Sequence, residues 1–221
     1  MNKSGHVAVS SMFGALAGVA VGAPPAVVLA CVPLGGISGL GPDIDGHNST
    51  ATKSLGPVTY CLHKVVAGFS GWTYELTKTP DDTAGAGGRH RGFTHTLVCT
   101  LLVGLVAFVA AWHGLPHLGI PNEHAGAFAL AAGSGWAGHL LGDALTKEGV
   151  AALWPIKFSG QRWYGFSLPD LLAITGGGSV EKVLAALSWI AVTALLIASG
   201  ADYAGYLDLP TLGTALDAAF A

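Results

Sequence analysis

Four stretches without a single Asp, Glu, Lys or Arg, residues 4–42, 92–122, 124–142 and 183–201, leave this chain few ways to fold. Crossing bilayer hydrocarbon takes about 20 residues of helix, and each stretch is close to that length or longer. Backbone amides in lipid must be satisfied within the segment, which makes such stretches helical. The remainder of the 221 residues agrees, with 51% hydrophobic and only 10% charged, where soluble domains carry about a quarter charged. Mean hydropathy is +0.55. The fold expected is all-α, a polytopic membrane helical bundle in one integral-membrane domain, 1–221. A very apolar soluble bundle is the alternative, because Gly and Ser dilute several of the runs.

The first run is interrupted by Gly22-Ala23-Pro24-Pro25, and adjacent prolines end one helix and start the next. Five spans result, near 7–22, 26–40, 95–112, 124–146 and 183–200, with polar regions 43–93 and 147–182 between them. In the first polar region Leu62, Val65, Val66, Phe69, Trp72 and Leu76 recur at helical spacing and predict a helix lying at the membrane surface, with His63 solvated on its polar edge. Thr77 to Gly88 reads as a flexible loop. Gly14, Gly18 and Gly22 on the first span and Gly138 and Gly142 on the fourth, each four apart, predict close helix packing. Cys31, Cys61 and Cys99 are too few and too scattered for a disulfide framework or zinc ribbon.

All ten basic residues fall on one side of this five-span pattern: Lys3, then Lys53, Lys64, Lys78, Arg89 and Arg91, then Lys147, Lys157, Arg162 and Lys182. The positive-inside rule makes that side cytoplasmic, with the N-terminus inside and the tail outside. The N-terminal apolar run exceeds signal-peptide length and reads as a retained span. A net charge of -3 leaves no footprint for direct nucleic-acid binding.

Polar residues suited to metal gather at the same ends of the spans. His6 opens the first, Asp43 and Asp45 end the second, His90 and His95 open the third, and His139 and Asp143 end the fourth. His139 and Asp143 are four apart and share a helix face, so an imidazole and a carboxylate can reach one ion. His95 is expected on the first helical turn, with Thr94 as its cap and Gly92 allowing the bend. Carboxylates combined with imidazoles suit Zn, Mn or Fe better than calcium. Seven candidate ligands exceed one tetrahedral site and predict two divalent transition ions, Zn or Mn, able to activate water and clamp a phosphoester. Arg91 is the expected substrate-orienting residue in catalysis, its planar fork matching phosphate. His113, His117 and His124 fall on the opposite side and read as loop residues.

Gly41-Pro-Asp-Ile-Asp45, His90-Arg-Gly-Phe-Thr-His-Thr-Leu97, Gly138-His-Leu-Leu-Gly-Asp-Ala-Leu-Thr-Lys-Glu-Gly-Val150, Leu153-Trp-Pro155 and the early Gly5-His6 together resemble one bacterial family. It is that of the inner-membrane-associated metal-dependent hydrolases, which includes a LexA-binding, DNA-damage-regulated member. The resemblance covers about residues 5 to 156. It implies an inner-membrane location and a hydrolase activity, with His6, Asp43, Asp45, His90, His95, His139 and Asp143 at the matching polar positions. In the family pattern a His directly follows the second Asp of the turn, whereas here Gly46 precedes His47, which leaves His47 without a matching role. The helices and the His-x3-Asp pair are also distantly similar to zinc-dependent phospholipase C.

The function expected is therefore hydrolysis of a phosphoester at the cytoplasmic membrane face, with a membrane phospholipid or an isoprenoid-linked phosphate suited to headgroup depth. Lys157, Gln161 and Arg162 are further substrate contacts or ordinary positive-inside residues. The alternative is a non-catalytic metal-containing membrane protein that binds a cytoplasmic regulatory partner. Metal transport would place ligands near the membrane midplane, and these lie at span ends.

Overall fold

The computed structural model describes residues 1–82, 91–167, 169, 173–211, 214 and 218. These residues form seven α-helices and no strand: α1 (Lys3–Ala20), α2 (Pro25–Ser38), α3 (Thr50–Lys53), α4 (Pro57–Thr77), α5 (Leu97–Gly114), α6 (Ala125–Ala144) and α7 (Ser179–Tyr203). Two 3-10 turns matter for the site, Pro42–Asp45 after α2 and Phe93–His95 before α5. The Pro24-Pro25 break falls where the sequence puts it, with Pro25 at the first position of α2. Residues 83–90, including Arg89, His90 and the second half of the expected flexible loop, lie outside the described residues.

Three segments are long and apolar enough to cross a membrane: Pro25–Asp45, Leu97–Leu118 and Ser179–Tyr203. The helices α1 and α6, expected as the first and fourth spans, do not meet that standard of apolarity. They occupy the middle of the bundle. Helix α1 packs on α2, α6 and α7, and α6 packs on α1, α2 and α5. Their surfaces are small residues, with Ala8, Ser10, Gly14 and Ala15 of α1 and Ala131, Ala132, Gly135 and Gly138 of α6 buried. The outer helices carry the apolarity, since only 11% of the most apolar window of α5 and 17% of that of α7 is buried inside the protein.

Backbones meet closely where the glycines stand. A Cβ on Gly135 would lie 2.3 Å from the Gly35 carbonyl oxygen, and one on Gly14 would lie 2.3 Å from the Cys31 carbonyl oxygen. Helices α1, α2 and α6 therefore touch main chain to main chain, as small-residue seams permit in lipid. This contact draws the ends of α1, α2 and α6 into one place.

Helix α4 lies outside this core and packs on the 42–45 and 93–95 turns. Val58, Leu62, Val65, Phe69, Trp72 and Leu76 form an exposed apolar stripe along it. His63 departs from the sequence expectation: it is 8% exposed and its Nδ1 donates to the Ile44 carbonyl at 2.8 Å. The 42–45 turn covers what periodicity alone marks as a polar edge.

The segment after α6 folds onto the C-terminal end of α4. Trp163 is buried, stacks on Trp154 at 5.3 Å and tilts against Tyr74 at 5.6 Å. Asp82 fastens the contact, accepting from the backbone N–H of Thr79, Arg162 and Trp163 and from the Thr79 hydroxyl. Partial burial pushes the Asp82 carboxyl up, but these hydrogen bonds outweigh it and hold the group below the usual carboxylate range. Gln161 and Arg162 belong to the same fastening, donating to the Asp81 and Thr77 carbonyls, and Lys157 is exposed.

Candidate metal centre

Each candidate ligand among the described residues lies at a helix end or on the turn beside one. His139 and Asp143 lie on the last two turns of α6, His6 on the first turns of α1, and Asp43 and Asp45 on the 3-10 turn that follows α2. His95 ends the second 3-10 turn rather than starting α5, and the cap of α5 is Thr96, whose hydroxyl accepts from Cys99 N–H. Thr94, expected as that cap, points instead into the centre, because the extra turn rotates it inward. Five of the seven expected ligands thus converge, Asp45 stands instead behind His95 on its Nδ1 side at 3.6 Å, and His90 lies outside the described residues. His113, His117 and His124 sit at the far ends of α5 and α6.

The donor atoms of the centre stand close to the separations of a coordination sphere, the longest about 0.2 Å beyond a tetrahedral edge. His95 Nε2 lies 3.3 Å from His139 Nε2, and Asp143 Oδ2 lies 3.7 and 3.6 Å from the same two nitrogens. Asp43 Oδ1 stands 3.8 Å from His95 Nε2 and 3.6 Å from His139 Nε2. Ligand atoms held about 2.0–2.2 Å from one ion are about 3.3–3.6 Å apart along a tetrahedral edge. On the other side of Asp143, Oδ1 is 3.2 Å from His6 Nε2 and 2.9 Å from the Met1 ammonium.

The hydrogen-bond network assigns the tautomers. His139 Nδ1 is 2.7 Å from the Gly39 carbonyl oxygen, which only accepts, so Nδ1 carries the proton and Nε2 the lone pair. The Thr94 hydroxyl is 2.8 Å from Asp45 Oδ2 and 3.0 Å from His95 Nδ1. A carboxylate only accepts, so the hydroxyl proton goes to Asp45 and His95 Nδ1–H donates to the hydroxyl oxygen. Both rings then aim Nε2 lone pairs at each other across 3.3 Å. A positive charge between the two nitrogens, a proton or a metal ion, makes the contact favourable. Outer carboxylate and carbonyl partners fixing a ligand imidazole are the usual support of a metal site.

His6 fits as a second-rank donor. Its ring stacks on His139 with centroids 3.8 Å apart, and its buried Nδ1 has no hydrogen-bond partner among the described residues. A Cβ on Gly142 would lie 3.2 Å from that nitrogen, so the glycine makes room for the ring. Two triads can be drawn, His6–His139–Asp143 and Asp43–His95–His139. They share His139, whose only free nitrogen serves one ion.

Arg91 approaches from another side. Its backbone is left-handed at φ 60°, an uncommon state for a residue with a Cβ. That turn sends Nε to 3.0 Å from Asp143 Oδ2, while Nη1 lies 3.0 Å from Glu148 Oε2 and 3.2 Å from the Gly149 carbonyl oxygen. Arg91 also lines a cavity of about 350 Å³ with Met1, Lys147 and Thr175. A larger cavity, about 900 Å³, starts at Asp43 and Asp45 and runs along α4 past His63, Gly68 and Trp72. The Asp43 side chain is 31% exposed, whereas those of His6, His95, His139 and Asp143 are 0–3% exposed, so Asp43 marks the open edge of the centre. Sequence reasoning missed His63 and the inward role of Thr94. The Thr94-His95 adjacency was visible, but nothing in spacing showed which way either points.

Comparison with known proteins agrees with the inner-membrane character of the apolar helices. No curated protein and no solved structure matches the chain. Residues 1–206 match the family described as YdjM inner membrane protein, and with nearly the whole length covered, the chain belongs to that family.

Proposed function

We propose that this chain is a multi-pass inner-membrane metal-dependent hydrolase that cleaves a phosphoester at the cytoplasmic face. The observation that carries the reading is the convergence of His95 Nε2 and His139 Nε2, 3.3 Å apart, with a carboxylate oxygen of Asp43 and one of Asp143 each 3.6–3.8 Å from both nitrogens. Two carboxylates and two imidazoles suit Zn or Mn. An ion held there supplies Lewis acidity to a phosphoryl oxygen and lowers the pKa of a water. A second ion would draw on His6 and Asp143 Oδ1 among the described residues. Asp45 and Thr94 hold His95 in its ligand tautomer, and Arg91 holds Asp143 while leaving part of its fork for phosphate.

Substrate reaches the centre past Asp43, through the cavity along α4. The exposed apolar stripe of that helix borders the cavity, which favours an ester at headgroup depth, a phospholipid or an isoprenoid-linked phosphate. Five spans fit the bundle, since helices of 18 and 20 residues, α1 and α6, are about 27 and 30 Å long. Packed against α2, α5 and α7, they turn only part of their surface outward, where Leu16, Leu130 and Leu141 are exposed. The one-sided basic residues then put the centre on the cytoplasmic side.

The test is purification in detergent, metal analysis, and a panel of phosphate mono- and diesters, comparing wild type with Asp143→Ala and His95→Ala. Stoichiometric transition metal and ester cleavage in wild type, both lost in the variants, is expected. Protein without metal overturns the centre. Metal without cleavage favours a structural ion in a protein that binds a cytoplasmic partner, a reading to which the crowding of Asp143 by Met1 and Arg91 lends some weight.

A further inference from the structure

We propose that His63 is the general acid of the site, handing a proton from Nε2 to the leaving oxygen of the substrate. This rests on the phosphoester hydrolase reading above and adds to it a residue that no metal-ligand pattern contains.

Three features of the ring support it. His63 is 8% exposed, and its Nδ1–H is committed to the Ile44 carbonyl at 2.8 Å. Ile44 lies between Asp43 and Asp45, so the bond fixes the ring beside the open edge of the metal centre. With Nδ1 anchored, Nε2 is the nitrogen left for the cavity of about 900 Å³ that His63 lines. Gly68 lines the same space, and a Cβ there would meet nothing within 4 Å, so the wall is open at this point.

The other titratable residues on the cavity wall are less suited. His47 is exposed, with its ring 5.7 Å from that of His63. Glu75 is exposed and paired with Lys78 at 2.6 Å. Asp43 and Asp45 belong to the centre itself. Of these cavity residues, His63 combines burial, a ring anchored through Nδ1 and a place beside the Asp43 edge.

In the reaction, the water oxygen forms the new P–O bond and the ester P–O bond breaks. Its electron pair goes to the leaving oxygen, which takes the proton from Nε2. One proton of the attacking water is released and restores the ring. Throughout, Nδ1–H stays on the Ile44 carbonyl. General acid catalysis contributes about 10²–10⁴-fold when the leaving group is poor.

The experiment varies the leaving group. His63→Asn keeps a donor at the Nδ1 position for Ile44 and removes the cavity nitrogen. Wild type and variant, in detergent with their metal content measured, are assayed on two pairs of esters: p-nitrophenyl phosphate against n-octyl phosphate, and p-nitrophenyl octyl phosphate against dioctyl phosphate. Expected are unchanged metal content, p-nitrophenyl cleavage within about threefold of wild type, and a loss of about 100-fold or more on the octanol leaving group. Equal losses on both leaving groups, or no loss on either, overturn the assignment. Loss of metal from the variant overturns it as well, since His63 would then act only by holding the 42–45 turn. Wild type that carries metal and cleaves none of the four esters removes the hydrolase reading, and the inference with it.

Discussion

His6 lies flat on His139, ring centroids 3.8 Å apart and planes within 14°. One residue opens α1 and the other closes α6, so the stack exists only because those two helices run antiparallel at close range. Gly142 admits it and Asp143 spans it, with Oδ1 toward His6 and Oδ2 toward His139. The first prediction concerns how the neighbouring imidazole, His95, is held.

Thr94→Val keeps the side-chain shape but removes the hydroxyl that relays between Asp45 and His95. Loss of such an outer partner weakens metal affinity by about 10–100-fold. Titration of the apo protein with Zn, read by a competing chelator, checks it. Unchanged affinity would mean that the tautomer of His95 is set some other way.

Gly135→Ala drives a methyl group to within 2.3 Å of the Gly35 carbonyl oxygen, a main-chain atom that cannot step aside. Helices α2 and α6 must separate, at a cost of about 1–3 kcal/mol, typical of overpacking. Gly126→Ala, on the same helix, meets nothing within 4 Å and gains helix propensity of up to about 1 kcal/mol. Thermal unfolding in detergent should therefore move in opposite directions for the two variants.

The Asp82 fastening is sensitive to acid. Its folded carboxyl lies below the ordinary value, so its contribution to stability is complete above the usual carboxylate range. That contribution disappears as pH falls through the folded value. Tryptophan fluorescence, reporting Trp154 and Trp163, should show an acid transition that Asp82→Asn removes; a transition of equal size in the variant would assign it to other groups.

Orientation can be read from a native cysteine. Cys61 is exposed on α4 while Cys31 and Cys99 are buried. A membrane-impermeant thiol reagent should label Cys61 in inside-out vesicles and not in spheroplasts. The opposite result would reverse the orientation drawn from the basic residues.

Much of the centre was legible because the candidate ligands at helix ends obey simple spacing. His139 and Asp143 share a face at four residues apart, and the Pro24-Pro25 break was bound to fold α2 back along α1. Other features depend on tertiary contact. His63 has the periodicity of a solvated edge, and only the packing of the 42–45 turn buries it. The 3-10 turn at 93–95 delays α5, which moves the cap to Thr96 and frees Thr94 for Asp45. Arg91 turns toward Asp143 through a left-handed backbone angle that its identity does not suggest. The polarity of α1 and α6 follows from their central position, which composition alone cannot distinguish from a weak span.

The order in which donors occur along the chain has a consequence for biogenesis. His6 and Asp43 enter with the first hairpin and His95 with α5, but His139 and Asp143 arrive only when α6 is in place. A nascent chain ending before α6 lacks the imidazole and the carboxylate common to both sides of the centre. An ion taken up under the proposed function would therefore enter late in membrane assembly, and a loaded centre would be a chemical record that α1, α2, α5 and α6 have all found one another.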